Sequence, residues 1–244
     1  MRTNTAPLPD WELVLSAATR PQRIFPDAIL VGSGAPAIDP RQRFSRDADH
    51  VLPDLRHRFD DVLKALESVA GWNTARVQRP VQILGRLAGI ETGVRQLIRD
   101  APLETMVVDH HGEPITVPTE EEILRIKGVL ILKRNATRDY LDFVTLADHL
   151  GGERVALAMQ AFDRLYQQDN GESPLQQLQV QLANAVPYDL EETDFREYQQ
   201  LDLRWHDWNV VKTACSHLAT EIFDRVCELQ SGRSVMALEP RPNR

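Results

Sequence analysis

A capping box divides this sequence in two. Thr119-Glu120-Glu121-Glu122 sets a hydroxyl three residues ahead of a carboxylate, directly before the apolar Ile123-Leu124. That is how a helix begins. Upstream, several stretches alternate apolar and polar residues and are punctuated by glycine. Downstream, apolar residues recur at spacings of three and four, and beyond Gly152 the pattern is helical only. The change of period predicts an α+β part over residues 1–118 and an all-α part over residues 119–244.

Within the first part, Trp11 to Thr19 carries a helical stripe, and Pro21 and Pro26 lead into an apolar strand at Ala28 to Val31. A tight turn, Gly32-Ser33-Gly34, follows. Arg46 to Leu52 alternates as a second strand. Pro53 to Ala70 reads as a helix closed by Gly71-Trp72-Asn73. Val77 to Val94 is strand-like, with Gly85, Gly89 and Gly93 as bulges or turns. Met106 to Val117 reads as a hairpin turning at His111-Gly112-Glu113. Together these make a mixed sheet with flanking helices.

In the second part, Gly128 weakens the helix begun at Glu120 by about 1 kcal/mol, but the cap favours helix over strand. Asn135-Ala136-Thr137 breaks it. Thr137 is then expected to cap a helix that ends at Gly151-Gly152. Further helices are expected over Arg154 to Gln168, Pro174 to Ala185 and Asp207 to Gln230, with a loop carrying a short turn of helix from Val186 to Asp202.

A net charge of −8 gives no overall basic footprint and argues against extended duplex binding. A local basic patch could still grip one RNA end. No signal-peptide pattern and no apolar run of membrane length occur, so a cytoplasmic protein without membrane partners is expected. Cys215 and Cys227 fall in one helical stretch, about 18 Å apart, too far for a disulfide. Both are expected to be small buried apolar residues in a reducing compartment.

The chemistry concentrates in the second strand. Residues two apart in a strand point to the same side, so Asp47 and Asp49 form a carboxylate pair. Two neighbouring carboxylates stay ionised cheaply only with a cation between them. Oxygen ligands of this kind suit magnesium, which completes its shell with water and substrate phosphates. The glycine turn after the first strand offers backbone N–H groups to an anion. Phosphate cradle and metal ligands together suggest a nucleotide site.

The run Gly32-Ser33-Gly34 followed by Arg43-Phe44-Ser45-Arg46-Asp47-Ala48-Asp49 resembles the first motif of the nucleotidyltransferase toxins of the AbiEii type, within the DNA polymerase β-like superfamily. That family's pattern is a small-residue turn and then R-x-S-x-D-x-D. Its usual run from the turn into a helix is interrupted here by Pro36 and Pro40, which limits any helix to about a turn. A second block of the family, K-x6-R followed by R-D-x-x-D, resembles Lys127, Arg134, Arg138, Asp139 and Asp142. The two motifs cover about half the chain.

Taken residue by residue, the resemblance implies a polymerase β-like fold whose helical part completes the active site. It implies Mg2+ on Asp47 and Asp49, and triphosphate contacts from Gly32, Ser33, Arg43, Lys127 and Arg134. Asp142 is implied as the acid that completes the site, either in the metal shell or as base for the acceptor hydroxyl. The implied activity is NMP transfer from an NTP to an acceptor such as the acceptor end of tRNA, in the toxin of a toxin–antitoxin or phage-defence system with a cognate antitoxin. On the residues alone, Lys127 could instead lay its stem along the core, and Arg134 or Arg138 could pair with a local carboxylate. Asp139 is explained by the helix dipole at a first turn. Two other classes fit the same residues: a non-catalytic nucleotide- or partner-binding member of the fold, and a metal-dependent phosphohydrolase. The histidines show no zinc spacing and are expected in surface or capping roles.

Overall fold

The computed structural model describes residues 11–31, 47–198 and 201–237. The chain forms two compact units, Met1–Thr119 and Glu120–Arg244. The first is mixed α+β and the described part of the second is helical.

In the first unit, α1 (Trp11–Ile24) leads to β1 (Ile29–Leu30) and β2 (Asp47–Leu52). Next come α2 (Phe59–Glu67), β3 (Trp72–Gln78), β4 (Gln82–Leu87) and β5 (Ile90–Gln96). These strands form one sheet in the order β1-β2-β5-β4-β3. The β2–β5 pair is parallel and the other pairs are antiparallel. A hairpin follows, β6 (Thr105–His110) and β7 (Glu113–Pro118).

One face of β2 carries Ala48, His50 and Leu52, all fully buried. Ala48 joins a core with Val14, Leu15 and Ala18 of α1 and Val117 of β7. Leu52 joins a second core with Phe59, Val62 and Leu66 of α2 and with Val94. Because side chains alternate along a strand, burying 48, 50 and 52 fixes Asp47 and Asp49 on the opposite face.

Several boundaries differ from expectation. α1 continues through Pro21, which removes one helical N–H, because its last turn is fastened from outside. The amide of Gln22 donates to Thr116 O and accepts from Thr116 N, both at 2.8 Å. α2 is shorter than the apolar spacing predicts, since Arg58 pairs with Asp54 at 2.8 Å in the turns before it. The strand-like stretch is broken into β3, β4 and β5 by turns at Arg79-Pro80-Val81 and Ala88-Gly89. Gly85 and Gly93 lie inside strands instead of in turns. The hairpin turns where expected, with His111 and Gly112 at φ 54° and 83°, the positive pair that a two-residue turn needs.

The second unit contains α3 (Glu120–Arg134), α4 (Thr137–Leu150), α5 (Gly152–Met159), α6 (Phe162–Leu165), α7 (Pro174–Ala183) and α8 (Trp208–Ala237). Three short 3-10 turns stand between α7 and α8. α3 starts where the capping box places it, but Glu122 is buried against Arg125 at 3.0 Å. Thr137 is the first residue of α4 and not its cap. Asp189 supplies the acceptor there. A Cβ at Gly128 would stand 2.9 Å from Leu178 Cδ2 and 3.2 Å from Phe162 Cε2. Close helix packing, then, is what the weak helix former allows. The expected Arg154–Gln168 helix is split into α5 and α6. Cys215 is buried as expected, whereas Cys227 is exposed.

Candidate active site

β2 presents Asp47 and Asp49 half-buried on one face, alternating with Ala48, His50 and Leu52 behind them. The parallel neighbour β5 sets Glu91 beside Asp47, Gly93 beside Asp49, and Arg95 beside Val51. Across β5, the antiparallel strand β4 sets Arg86 beside Glu91 and Gln82 beside Arg95. The result is a hollow of about 480 Å³ whose lining includes Asp47, Asp49, Arg76, Arg86, Glu91 and Arg95.

Charges in this hollow are cross-linked. Arg95 donates to Asp49 Oδ2 from Nε at 3.2 Å and Nη2 at 3.1 Å. With the Gln82 carboxamide turned so that its oxygen faces the guanidinium, that oxygen accepts from Nη1 and Nη2 of Arg95. Arg86 pairs with Glu91 at 2.7 Å. Gly93 makes room for the acid beside it, since a Cβ there would stand 3.2 Å from Asp49 Oδ1.

Among the described residues, no three His, Cys, Asp or Glu side chains gather closely enough to hold a metal by themselves. A carboxylate pair with an open hollow in front is nevertheless the donor set that magnesium uses, with water and phosphate oxygens completing six positions. The all-oxygen chemistry of the pair and the hollow in front of it therefore fit that ion.

Directly behind the acids, His50 is fully buried and its Nε2 lies 3.1 Å from Ala18 O. Burial lowers its pKa from 6.5 to about 4, outweighing that backbone hydrogen bond, so the ring is neutral near pH 7. It supports β2 from the core side. His110 is also mostly buried and lies 3.2 Å from Ser16 Oγ, so it is neither surface nor cap. Burial pushes the Cys215 thiol up to about 12, which removes it as a nucleophile.

The second motif lies on α3 and α4 in the helical unit. Lys127 Nζ donates to Asp142 Oδ2 at 2.7 Å. Arg134 grips Asp139 with two hydrogen bonds, of 3.1 and 2.6 Å. Asp139 is fully buried, so its place in the first turn of α4 answers to this fork as well as to the dipole. Four residues of the second motif, Lys127, Arg134, Asp139 and Asp142, thus pair among themselves within one unit.

The expected phosphate cradle, Gly32 and Ser33 with Gly34, lies outside the described residues, as do Arg43, Ser45 and Arg46. Four charged residues of the hollow escaped sequence reasoning, Arg76, Arg86, Glu91 and Arg95. The trace of the last two is the alternation in Ile90-Glu91-Thr92-Gly93-Val94-Arg95, which puts charge or space at every second position. Only the β2–β5 register turns that alternation into neighbours of Asp47 and Asp49.

No family model matches this chain. It is 31% identical over 207 residues to the heme uptake protein MmpL11 of Mycobacterium tuberculosis, a match covering 75% of this chain and 20% of that protein. The mycolic acid-containing lipids exporter MmpL11 of Mycolicibacterium smegmatis is 30% identical over 129 residues, covering 52% of this chain and 13% of the exporter. The chain thus spans at most about a fifth of the length of these curated relatives. Among solved structures, a proposed nucleotidyltransferase from H. pylori aligns at 17% identity and a TM-score of 0.49, covering 90% of this chain and 96% of that one. ANT(2")-Ia in complex with adenylyl-2"-tobramycin aligns at 15% and 0.46, covering 63% and 97%. A nucleotidyltransferase-like protein from Paracoccidioides brasiliensis aligns at 18% and 0.44, covering 65% and 90%. None of these three reaches a TM-score of 0.5. Among the described residues no helix is long and apolar enough to cross a membrane.

Proposed function

We propose that this chain is a magnesium-dependent nucleotidyltransferase that moves NMP from an NTP to an RNA acceptor such as tRNA, as the toxin of a toxin–antitoxin or phage-defence pair. The observation that carries the proposal is the Asp47–Asp49 pair, held on one face of β2 and opening into a hollow that also holds Arg76, Arg86 and Arg95. Carboxylates and guanidinium groups lining one hollow match a metal-bound, negatively charged substrate.

In the proposed reaction an acceptor hydroxyl attacks the α-phosphorus, a new O–P bond forms, and the bond to pyrophosphate breaks. Asp47 and Asp49 would hold Mg2+, which would supply charge stabilisation to the reacting phosphate. The arginines orient the triphosphate, and positioning with electrostatics supplies most of the rate. Gly32, Ser33 and Arg43 enter as phosphate contacts, Lys127 and Arg134 as nucleotide contacts, and Asp142 as the completing acid. These six are assigned through the family resemblance alone. Transport, named for the whole of MmpL11, is not proposed here.

A second reading has an observation in its favour. Asp49 and Lys127 each have a protein counter-ion already, Arg95 and Asp142. Such a site could bind nucleotide without turning it over.

The test is incubation with each α-labelled NTP, Mg2+ and total RNA, comparing the natural chain with Asp49→Asn. The proposal expects label in RNA that falls at least about a hundredfold in the variant, the scale on which transition-state electrostatics act. Equal labelling by both proteins refutes the metal assignment. A Mg2+-dependent thermal shift with NTP but no labelled acceptor gives the second reading. Phosphate release without labelled acceptor gives a hydrolase.

A further inference from the structure

The Arg95–Asp49 pair occupies one of the two Asp49 oxygens that a metal ion could take. Asp49 Oδ2 accepts two hydrogen bonds from one guanidinium, while Oδ1 lies against Gly93, 3.2 Å from where a Cβ there would stand. Arg95 is not confined to this acid: its side chain is 43% exposed, against 20% for Asp49, and its outer nitrogens also meet Gln82. The neighbouring row repeats the scheme, with Arg86 on Glu91. Three carboxylates and three guanidinium groups line the same hollow, so its formal charge is close to balanced before anything binds.

From this balance we propose that Arg95 is a counter-ion switch, a positioning residue that couples metal binding to nucleotide binding. The inference rests on the reading of Asp47 and Asp49 as a metal site and adds the order in which that site fills. A divalent cation arriving alone must take Asp49 from Arg95 and leaves a stranded guanidinium beside like charge. A cation arriving with a triphosphate brings anionic oxygens that Arg95 can take in exchange, with Gln82 holding its other edge during the transfer. The hollow then passes from acid–arginine pairs to acid–metal and arginine–phosphate pairs without an uncompensated charge. The metal alone is therefore held weakly, and the ligand favoured is a polyphosphate already carrying its metal.

Calorimetric titration with Mn2+, with and without a non-hydrolysable NTP analogue, separates the possibilities in the full chain. Arg95→Gln should bind Mn2+ alone about two- to fivefold more tightly than the natural chain, the range set by loss of one partly exposed ion pair. The same variant should lose most of the affinity that the analogue adds, and Arg95→Lys should restore part of it. A purely structural arginine would not raise metal affinity on removal. Equal Mn2+ affinity and equal coupling in the natural chain and Arg95→Gln overturn the switch while leaving the metal site standing. No Mn2+ binding to either protein, with or without analogue, overturns the metal reading and the switch together.

Discussion

Lys127 and Asp142 meet at 2.7 Å, tying the middle of α3 to the first turns of α4. Their side chains are only 18% and 10% exposed, so neither charge is well hydrated. The lysine in an apolar helix thus has its anion within the same unit. Removing one partner takes a counter-charge from a poorly hydrated group, which costs more than the intact pair contributes.

For Lys127→Met the expected loss is about 2 kcal/mol of stability in the helical unit, below the range for a fully buried pair because some water reaches this one. Asp142→Asn combined with Lys127→Met should recover about half of it. Urea unfolding followed by far-ultraviolet circular dichroism, with both single variants and the double, closes the cycle. Strictly additive losses would show that the two groups do not interact. NTP affinity is the independent readout: if Lys127→Met lowers it while Asp142→Asn does not, the ammonium also serves the nucleotide.

Gly93 offers a sharper probe of the hollow. An added Cβ would stand 2.5 Å from Leu84 Cδ2 and 2.9 Å from Ile83 O. The leucine tip can rotate, but the carbonyl is fixed in the β4–β5 ladder, so strain outweighs the entropy gained by replacing glycine. Gly93→Ala is expected to destabilise the first unit by about 1–3 kcal/mol. It should also push the Asp49 carboxylate, 3.2 Å from the new atom, toward Arg95. Unchanged stability together with unchanged Mn2+ affinity would mean the sheet yields locally and the tight packing has no consequence.

What the sequence revealed depended on how local the determinant is. The β6–β7 turn was legible because His111-Gly112 needs no distant partner, and the start of α3 because three glutamates follow one threonine. The same-side placement of Asp47 and Asp49 follows from strand period alone. Arg95 was not legible, since it meets Asp49 only through the parallel pairing of β2 with β5. Cys227 was misjudged because an apolar residue type was allowed to outweigh phase. About twelve helical residues turn it roughly 120° away from Cys215, and among the described side chains α8 buries a stripe that includes Val211, Cys215, Leu218, Ile222 and Val226. α1 ran past Pro21 because Gln22 clamps it to Thr116, a partner ninety-four positions away.

His50 makes the first unit sensitive to acid. Folded, its pKa is lowered from 6.5 to about 4 by burial, so the unfolded chain takes up the proton first as pH falls. The stabilisation from keeping this ring neutral is complete above about pH 6.5 and is lost on the way down to pH 4. Between pH 7 and pH 5 this amounts to about 2 kcal/mol. Urea titrations at the two pH values, read through hydrogen exchange of β2, should show that decline in the natural chain and a shallower one in His50→Leu. Identical slopes would assign the acid sensitivity to other groups.

Asp189 reaches back to the start of α4 from fifty-two positions away. Its Oδ1 accepts from Thr137 N at 2.7 Å and from Thr137 Oγ1 at 2.8 Å. The segment is anchored beside it, with Tyr188 N donating to Asn135 O at 3.0 Å and Asn135 Nδ2 to Val186 O at 2.9 Å. A carboxylate here satisfies one of the open N–H groups of the helix and sits at the positive end of its dipole. Removing it in Asp189→Ala should cost about 1–2 kcal/mol of helical-unit stability, as for other lost N-caps. Asp189→Asn keeps an accepting oxygen and loses only the charge, so it should retain more than half of that contribution at low salt. Were the asparagine variant as unstable as the alanine one, charge at the helix end would be the cause and acceptance secondary. Were the alanine variant as stable as the natural chain, α4 would need no cap from this segment.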